Sequence, residues 1–229
     1  MQKKVQGKKL RIVMINGSPR KEGVTGIVLK GIQAELAGNG AEVKYYDLSR
    51  IRLSHCMGCM ACFKTGHCHI DDDMDRISEE IAGADGLVLG SPAYVSNVTG
   101  LMKNFIDRGH FVMEQMLHGK HSIIVTTGIN YGKNDAEAVL KRLVVYSGGY
   151  VSARISENIP FNDRAMARER TQKKCIRAAS RLLSDISKDR KPAFQHIFNL
   201  IVFHLGIKPF IYKNREKYDG VINKWAESH

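Results

Sequence analysis

The chain has 229 residues, 43% hydrophobic and 25% charged, which is enough apolar material for a full core and fits one domain with a C-terminal extension. Its formal net charge is +12, and from Asp163 onward there are 15 Lys+Arg against 7 Asp+Glu, so the tail carries most of the excess. The tail's cations (Arg164, Arg168, Arg170, Lys173, Lys174, Arg177 and Arg181 among them) fall among helix formers and read as a solvated helix face, and no nucleic-acid-binding motif accompanies them, which argues against nucleic acid as a partner.

The start, Met1 to Lys9, is basic, but the apolar run that follows, Leu10 to Ile15, is too short for a secretory signal and reads as a first strand. Apolar runs then alternate with helical patterns, the mark of βαβ units and a parallel sheet. Strands are predicted at Leu10–Ile15, Glu42–Tyr46, Gly86–Leu89, Ser122–Thr126 and Tyr150–Ile155, and helices at Val24–Ala37, Asp73–Ala82, Leu101–Leu117 and Asp135–Ser147. The expected fold is α/β, a flavodoxin-like doubly wound five-stranded parallel sheet of order 2-1-3-4-5 that takes its ligand beyond the carboxyl ends of the strands. Residues 1–160 form this domain, with a cysteine-rich insert at 55–70, and residues 161–229 form a C-terminal helical extension that packs on the domain or builds an oligomer interface. Within it, Phe194 to Leu205 is apolar on most sides but falls short of the roughly 20 residues of a bilayer-spanning helix, so no transmembrane segment is expected.

Three loops at one sheet edge have the composition of a binding site. The loop after strand one, Asn16-Gly17-Ser18-Pro19-Arg20-Lys21-Glu22-Gly23-Val24-Thr25, gathers hydroxyls, a guanidinium and helix N-terminal amides, which suits an anion and in particular a phosphate monoester. It is neither a P-loop nor a Gly-x-Gly-x-x-Gly fingerprint. The loop after strand three, Ser91-Pro92-Ala93-Tyr94-Val95-Ser96-Asn97, places Tyr94 and Asn97 to meet a planar heteroaromatic ring, although Tyr94 fits a core aromatic equally well. The loop after strand four, Thr126-Thr127-Gly128-Ile129-Asn130-Tyr131-Gly132, is small enough for its backbone to approach the ring edge.

Four of the five cysteines form one run, Cys56-x-x-Cys59-x-x-Cys62-x5-Cys68. The spacing suits a single iron-sulfur cubane, and a structural zinc site or bare thiols are the alternatives. Cysteines massed in one segment fit a reducing compartment, the cytoplasm. Cys175 stands outside it and reads as a small buried hydrophobe.

The stretches Gly17-Ser18-Pro19-Arg20 with Thr25, Gly90-Ser91-Pro92-Ala93-Tyr94, Lys103 to Arg108, and the cysteine run leading into Asp71-Asp72-Asp73-Met74 resemble the NADPH-dependent FMN reductase family, and within it the iron-sulfur flavoprotein branch. The resemblance implies non-covalent FMN, a 4Fe-4S cluster, a homodimer or homotetramer, and electron transfer between flavin and cluster. By that match Ser18, Pro19, Arg20, Val24 and Thr25 would hold the phosphate; Pro92 to Asn97 (Ala93, Tyr94, Val95 and Ser96 between them) and Thr127, Gly128, Tyr131 and Gly132 would flank the isoalloxazine. Cys56, Cys59, Cys62 and Cys68 would bind iron, and no side chain is expected to act as a general acid or base. NAD(P)H or ferredoxin would be the donor, and a small molecule or a protein the acceptor. Val24 departs from the family in standing where many relatives carry a polar residue. Two other classes fit the same residues: a cluster-free NAD(P)H-dependent flavin, quinone or nitro reductase, and a non-enzymatic flavodoxin-type carrier or redox sensor.

Overall fold

The computed structural model describes residues 9–20 and 22–228; the basic run before Lys9 and the loop residue Lys21 lie outside the described residues. Five strands pair in parallel in the order β2-β1-β3-β4-β5. They are β1 (Arg11–Asn16), β2 (Glu42–Asp47), β3 (Gly86–Pro92), β4 (His121–Gly128) and β5 (Tyr150–Asn158). The central strands β1, β3 and β4 are buried almost throughout, which is why they read as continuous apolar runs with no polar alternation.

Alternate side chains of β1 serve two cores. Ile12 and Met14 face α1 (Val24–Gly38) and α7 (Arg164–Ser187) through Leu29, Ile32, Ala178 and Leu182. Val13 and Ile15 face α3 (Met74–Ala82), α4 (Gly100–Arg108) and α6 (Lys133–Tyr146) through Ile77, Phe105 and Leu140. The predicted helix in the basic tail is therefore α7, and it closes the α1 face of the sheet. Cys175 is buried on it, with its Sγ 3.2 Å from where a Cβ on Gly31 would stand.

Three local differences from the sequence reading have physical causes. Strands β3, β4 and β5 run further toward their carboxyl ends than predicted, because pairing continues through Pro92↔Thr127 and Gly128↔Asn158 into the loops. The single helix expected over 101–117 is two, α4 and α5 (Phe111–Glu114). His110 takes a left-handed φ of 50° between them, and Phe111 turns back onto Phe105 with ring centroids 5.2 Å apart. The apolar run of the tail continues past Leu205: α8 (Ala193–Ile201), a π-helical turn (Val202–Ile207) and α9 (Lys208–Lys213) follow one another without a break. The wide turn precedes Pro209, whose missing N–H would otherwise interrupt the ladder.

That stretch, Ala193–Lys213, has 21 residues and is long and apolar enough to cross a membrane by length and composition, which corrects the shorter span read from sequence. Its polar side chains tie it to the sheet edge. Gln195 Oε1 accepts from the Val151 amide at 2.8 Å, Asn199 Nδ2 donates to the Gly149 carbonyl at 3.0 Å, and His196 Nδ1 lies 2.8 Å from the Tyr150 hydroxyl.

A satellite core gathers Ile211, Tyr218, Val221 and Trp225 with Phe63 from the cysteine segment. The last helix, α10 (Asp219–Ser228), lies against α2 (Ala61–Thr65), a short helix inside the cysteine run.

Candidate functional site

Asn16 ends β1 fully buried, and its Oδ1 accepts from the Ser18 amide at 3.0 Å. The turn is tied down from both sides: Gly17 N donates to the Gly90 carbonyl at 2.7 Å, and the Thr99 hydroxyl donates to the Gly17 carbonyl at 2.6 Å. Ser18 is buried with its Oγ 3.2 Å from the Arg20 amide, whereas Pro19 and the Arg20 side chain are exposed. Gly23 caps α1 without a side chain, so the positive end of the helix faces the loop. Buried Thr25 Oγ1 meets Thr127 Oγ1 at 2.7 Å and joins the first loop to the third.

The second loop leaves β3 with the Ala93 amide donating to the Thr127 carbonyl at 2.7 Å. Tyr94 and Asn97 exchange backbone hydrogen bonds of 2.8 and 3.0 Å around a two-residue turn. Its central residues, Val95 and Ser96, have φ of 47° and 57°, as a type I′ turn requires. For β-branched Val95 this conformation costs about 1–3 kcal/mol. Val95 is nonetheless 93% exposed, and Tyr94 is 44% exposed, so the tyrosine is not a core aromatic.

Ser18, Arg20, Val24, Thr25, Pro92, Ala93, Tyr94, Val95, Thr127 and Gly128 all line one cavity of about 320 Å³. Pro19, Ser96, Asn97, Tyr131 and Gly132 do not line it. Asn97 Oδ1 instead accepts from the Val98 amide at 2.8 Å, and Tyr131 points to solvent. Ser96 and Gly132 meet each other behind the rim, where a methyl group on Gly132 would stand 3.0 Å from Ser96 Cα.

The wall missed from sequence comes from the chain after β5. Ile159 and Asn162 line the cavity, and Asn162 Oδ1 accepts from the Val24 amide at 3.1 Å across 138 positions of sequence. No local pattern signals that contact.

The cysteine segment leaves and rejoins the domain at one neck. Asp72 and Asp73 carboxylates accept from the amides of Ser54 and Arg52, each at 2.8 Å, so the acidic run closes the excursion and opens α3. Arg108 Nη1 donates to the Ser54 carbonyl and to Asp72, both at 2.7 Å, and Arg108 Nη2 stands 3.5 Å from Cys68 Sγ. Burial works against ionised Asp72, but hydrogen bonds from Arg108 and the backbone outweigh it and hold its pKa down to about 2. Cys56 and Cys59 are exposed, while Cys62 and Cys68 are half-buried. Burial, with Cys68 and Glu114 nearby, pushes the Cys62 thiol up to about 11. Cys59 Sγ lies 3.4 Å from His69 Nδ1, and no three His, Cys, Asp or Glu side chains are gathered as a metal site among the described residues. The donor set itself, four thiols with a buried cation beside one of them, has the chemistry of an iron-sulfur cluster site.

Residues 10–160 match the family described as NADPH-dependent FMN reductase. The chain belongs to that family. A Clostridioides difficile protein named iron-sulfur flavoprotein is 37% identical to this FMN reductase family member over 220 residues, covering 94% of this chain and 97% of the relative. An Archaeoglobus fulgidus protein of the same name is 36% identical over 148 residues, 62% of this chain and 65% of the relative. Within the FMN reductase family the chain therefore stands in the iron-sulfur flavoprotein branch, and it is an FMN-dependent oxidoreductase by family. The solved NAD(P)H:quinone oxidoreductase from Methanothermobacter marburgensis superposes with a TM-score of 0.62 at 17% identity, over 76% of this chain and all of that structure, which shows the flavodoxin-like fold.

Proposed function

We propose that this protein binds FMN in the cavity between the three loops and passes electrons between the flavin and a 4Fe-4S cluster held by Cys56, Cys59, Cys62 and Cys68. The observation that carries the reading is the meeting of Ser18, Arg20, Thr25, Pro92 to Val95, Thr127 and Gly128 at one cavity on the carboxyl edge of the sheet. In it the Ser18 and Thr25 hydroxyls, the N-terminal end of α1 and Arg20 would hold the phosphate. The Tyr94–Asn97 turn, stiffened by Pro92 and backed by Gly132, would lie along one edge of the ring system, and the Thr127–Gly128 backbone along another. FMN supplies hydride acceptance and single-electron release, and a cluster supplies one-electron storage. The protein's part is to bind, orient and exclude water.

NAD(P)H or a ferredoxin-like protein would be the donor and a small molecule or protein the acceptor, in the reducing cytoplasm, with the chain assembled as a dimer or tetramer. The test is the visible spectrum of protein purified without oxygen, with iron and acid-labile sulfide analysis and with FMN and riboflavin affinities measured side by side. Flavin bands over a broad iron-sulfur shoulder, with about four irons per chain and much weaker binding of riboflavin, which lacks the phosphate, support the proposal. Flavin with neither iron nor sulfide would leave a cluster-free reductase. Equal affinity for FMN and riboflavin would remove the phosphate loop from the account.

A further inference from the structure

The buried face of α4 is built from Met102, Phe105 and Arg108, so an apolar pattern ends on a guanidinium. Arg108 and Asp72 are 1% and 0% exposed at their side chains, and burying such a pair costs desolvation that an apolar replacement would avoid. Arg108 takes no part in the FMN cavity. Its Nη1 donates to Ser54 and Asp72, its Nη2 donates to Asp72 at 3.0 Å and points at Cys68 Sγ at 3.5 Å, and its Nε finds no hydrogen-bond partner among the described residues. A fixed cation therefore stands in a water-poor position against one thiol of the cysteine run, paired through both Nη1 and Nη2 with a fixed anion.

We infer that Arg108 sets the redox poise of the cysteine site, stabilising the more negative, reduced form of a cluster bound at Cys68, and that Asp72 limits how much of that charge the site feels. The inference rests on the proposal that the cysteines hold a cluster. A cluster that takes one electron from a one-electron donor gains one negative charge, and a buried positive charge beside it favours that form. The other polar groups around the segment differ in kind. Glu114 lies near Cys62 but pairs with Lys224 Nζ at 2.9 Å, and His69, with Nδ1 3.4 Å from Cys59 Sγ, is exposed. Arg108 is a positioning residue that acts through Cys68.

The test uses the full chain loaded with iron and sulfide without oxygen, as wild type, Arg108→Gln, Arg108→Lys and Asp72→Asn, with dithionite as the reductant. The cluster is followed by potentiometric titration with electron paramagnetic resonance, and the flavin couple of each protein serves as the internal reference. Arg108→Gln is expected to shift the cluster's reduction equilibrium about tenfold against reduction, about 59 mV for a one-electron couple. Asp72→Asn is expected to shift it the other way, Arg108→Lys to stay near wild type, and the flavin couple to stay unmoved. Shifts of one sign in Arg108→Gln and Asp72→Asn, as a packing defect would give, or no shift in either, overturn the inference. Should Arg108→Gln fail to fold, Asp72→Asn alone decides, since a potential that is unchanged or lowered overturns it. A wild type that takes up neither iron nor sulfide overturns the cluster proposal and this inference together, whereas a loaded wild type with unmoved variants overturns this inference alone.

Discussion

Gly220 in the first turn of α10 rests directly on Gly66, the left-handed residue that ends the cysteine helix: a methyl group on Gly220 would stand 2.1 Å from Gly66 N and 2.7 Å from Thr65 C. Tyr218 stacks on Phe63 beside this contact with ring centroids 5.3 Å apart, and Trp225 Nε1 donates to the Glu114 carbonyl at 3.2 Å. The end of the chain is thus the seat of the helix that carries Cys62.

Gly220→Ala is expected to lift α10 off α2, because the obstacle is backbone and cannot rotate away. Overpacking of this kind costs roughly 3 kcal/mol. The satellite core is separate from the two that flank the sheet, so the damage should stay local. Thiol-reagent labelling of Cys62 should become faster while FMN affinity holds. Loss of FMN affinity in step with faster labelling would show that the two regions unfold as one.

Gly132→Ala tests the contact between the second and third loops. Gly132 has φ of 81°, which an alanine adopts only with strain, and its methyl group would press on the Ser96 backbone at 3.0 to 3.1 Å. The Tyr94–Asn97 turn, already strained at Val95, has to move. FMN affinity, read by fluorescence quenching, should fall at least tenfold, about 1.4 kcal/mol, with little change in the far-UV circular dichroism. Wild-type affinity would show that this turn does not border the ring.

The sheet order and the meeting of three loops at one cavity were legible because their signals are local: continuous apolar runs for strands buried on both faces, and Gly, Pro, Ser and Thr where the chain must turn at the strand ends. What escaped depends on contacts between distant residues. Asn162 reaches Val24 from beyond β5, Arg108 meets Asp72 from another helix, and α10 finds α2 through two glycines, none of which has a periodicity to read. The break after Arg108 escaped for a related reason, since Phe111 folds back on Phe105 within a core built from distant elements. The tail's helix runs on past Leu205 because a π turn carries it through Gly206 to Pro209, and no local periodicity signals such a turn.

Asp72 makes the neck of the cysteine segment sensitive to acid. Its pKa is lowered on folding from 3.8 to about 2, so its contribution is complete above the unfolded value and is lost as pH falls from about 4 toward 2. The shift corresponds to about 2 kcal/mol. Arg108 stays charged throughout this window and adds no slope of its own. Urea unfolding at pH 7 should find Asp72→Asn less stable than wild type by about that amount, and the gap should close progressively below pH 4. A gap that persists unchanged at pH 3 would assign the loss to packing and not to charge.

The outer face of α8 and the turn beyond it carries the remaining prediction. Phe194, Ile197, Ile201 and Leu205 follow one another at helical spacing and are 81%, 57%, 51% and 77% exposed, while the opposite side of the helix is pinned to Gly149 and the first residues of β5 by Asn199, His196 and Gln195. A fixed apolar stripe with one side anchored gains by being covered, at roughly 1.5 kcal/mol or more for each large side chain removed from water. Self-association through this stripe predicts a dimer or tetramer by sedimentation velocity at micromolar concentration. Ile197→Glu should weaken that assembly about tenfold or more and leave the flavin spectrum unchanged, because residue 197 does not line the cavity between the three loops. A wild-type monomer that sediments with anionic lipid vesicles would assign the stripe to a membrane surface, where the flanking Lys188, Arg190, Lys191, Lys208 and Lys213 would meet the headgroups.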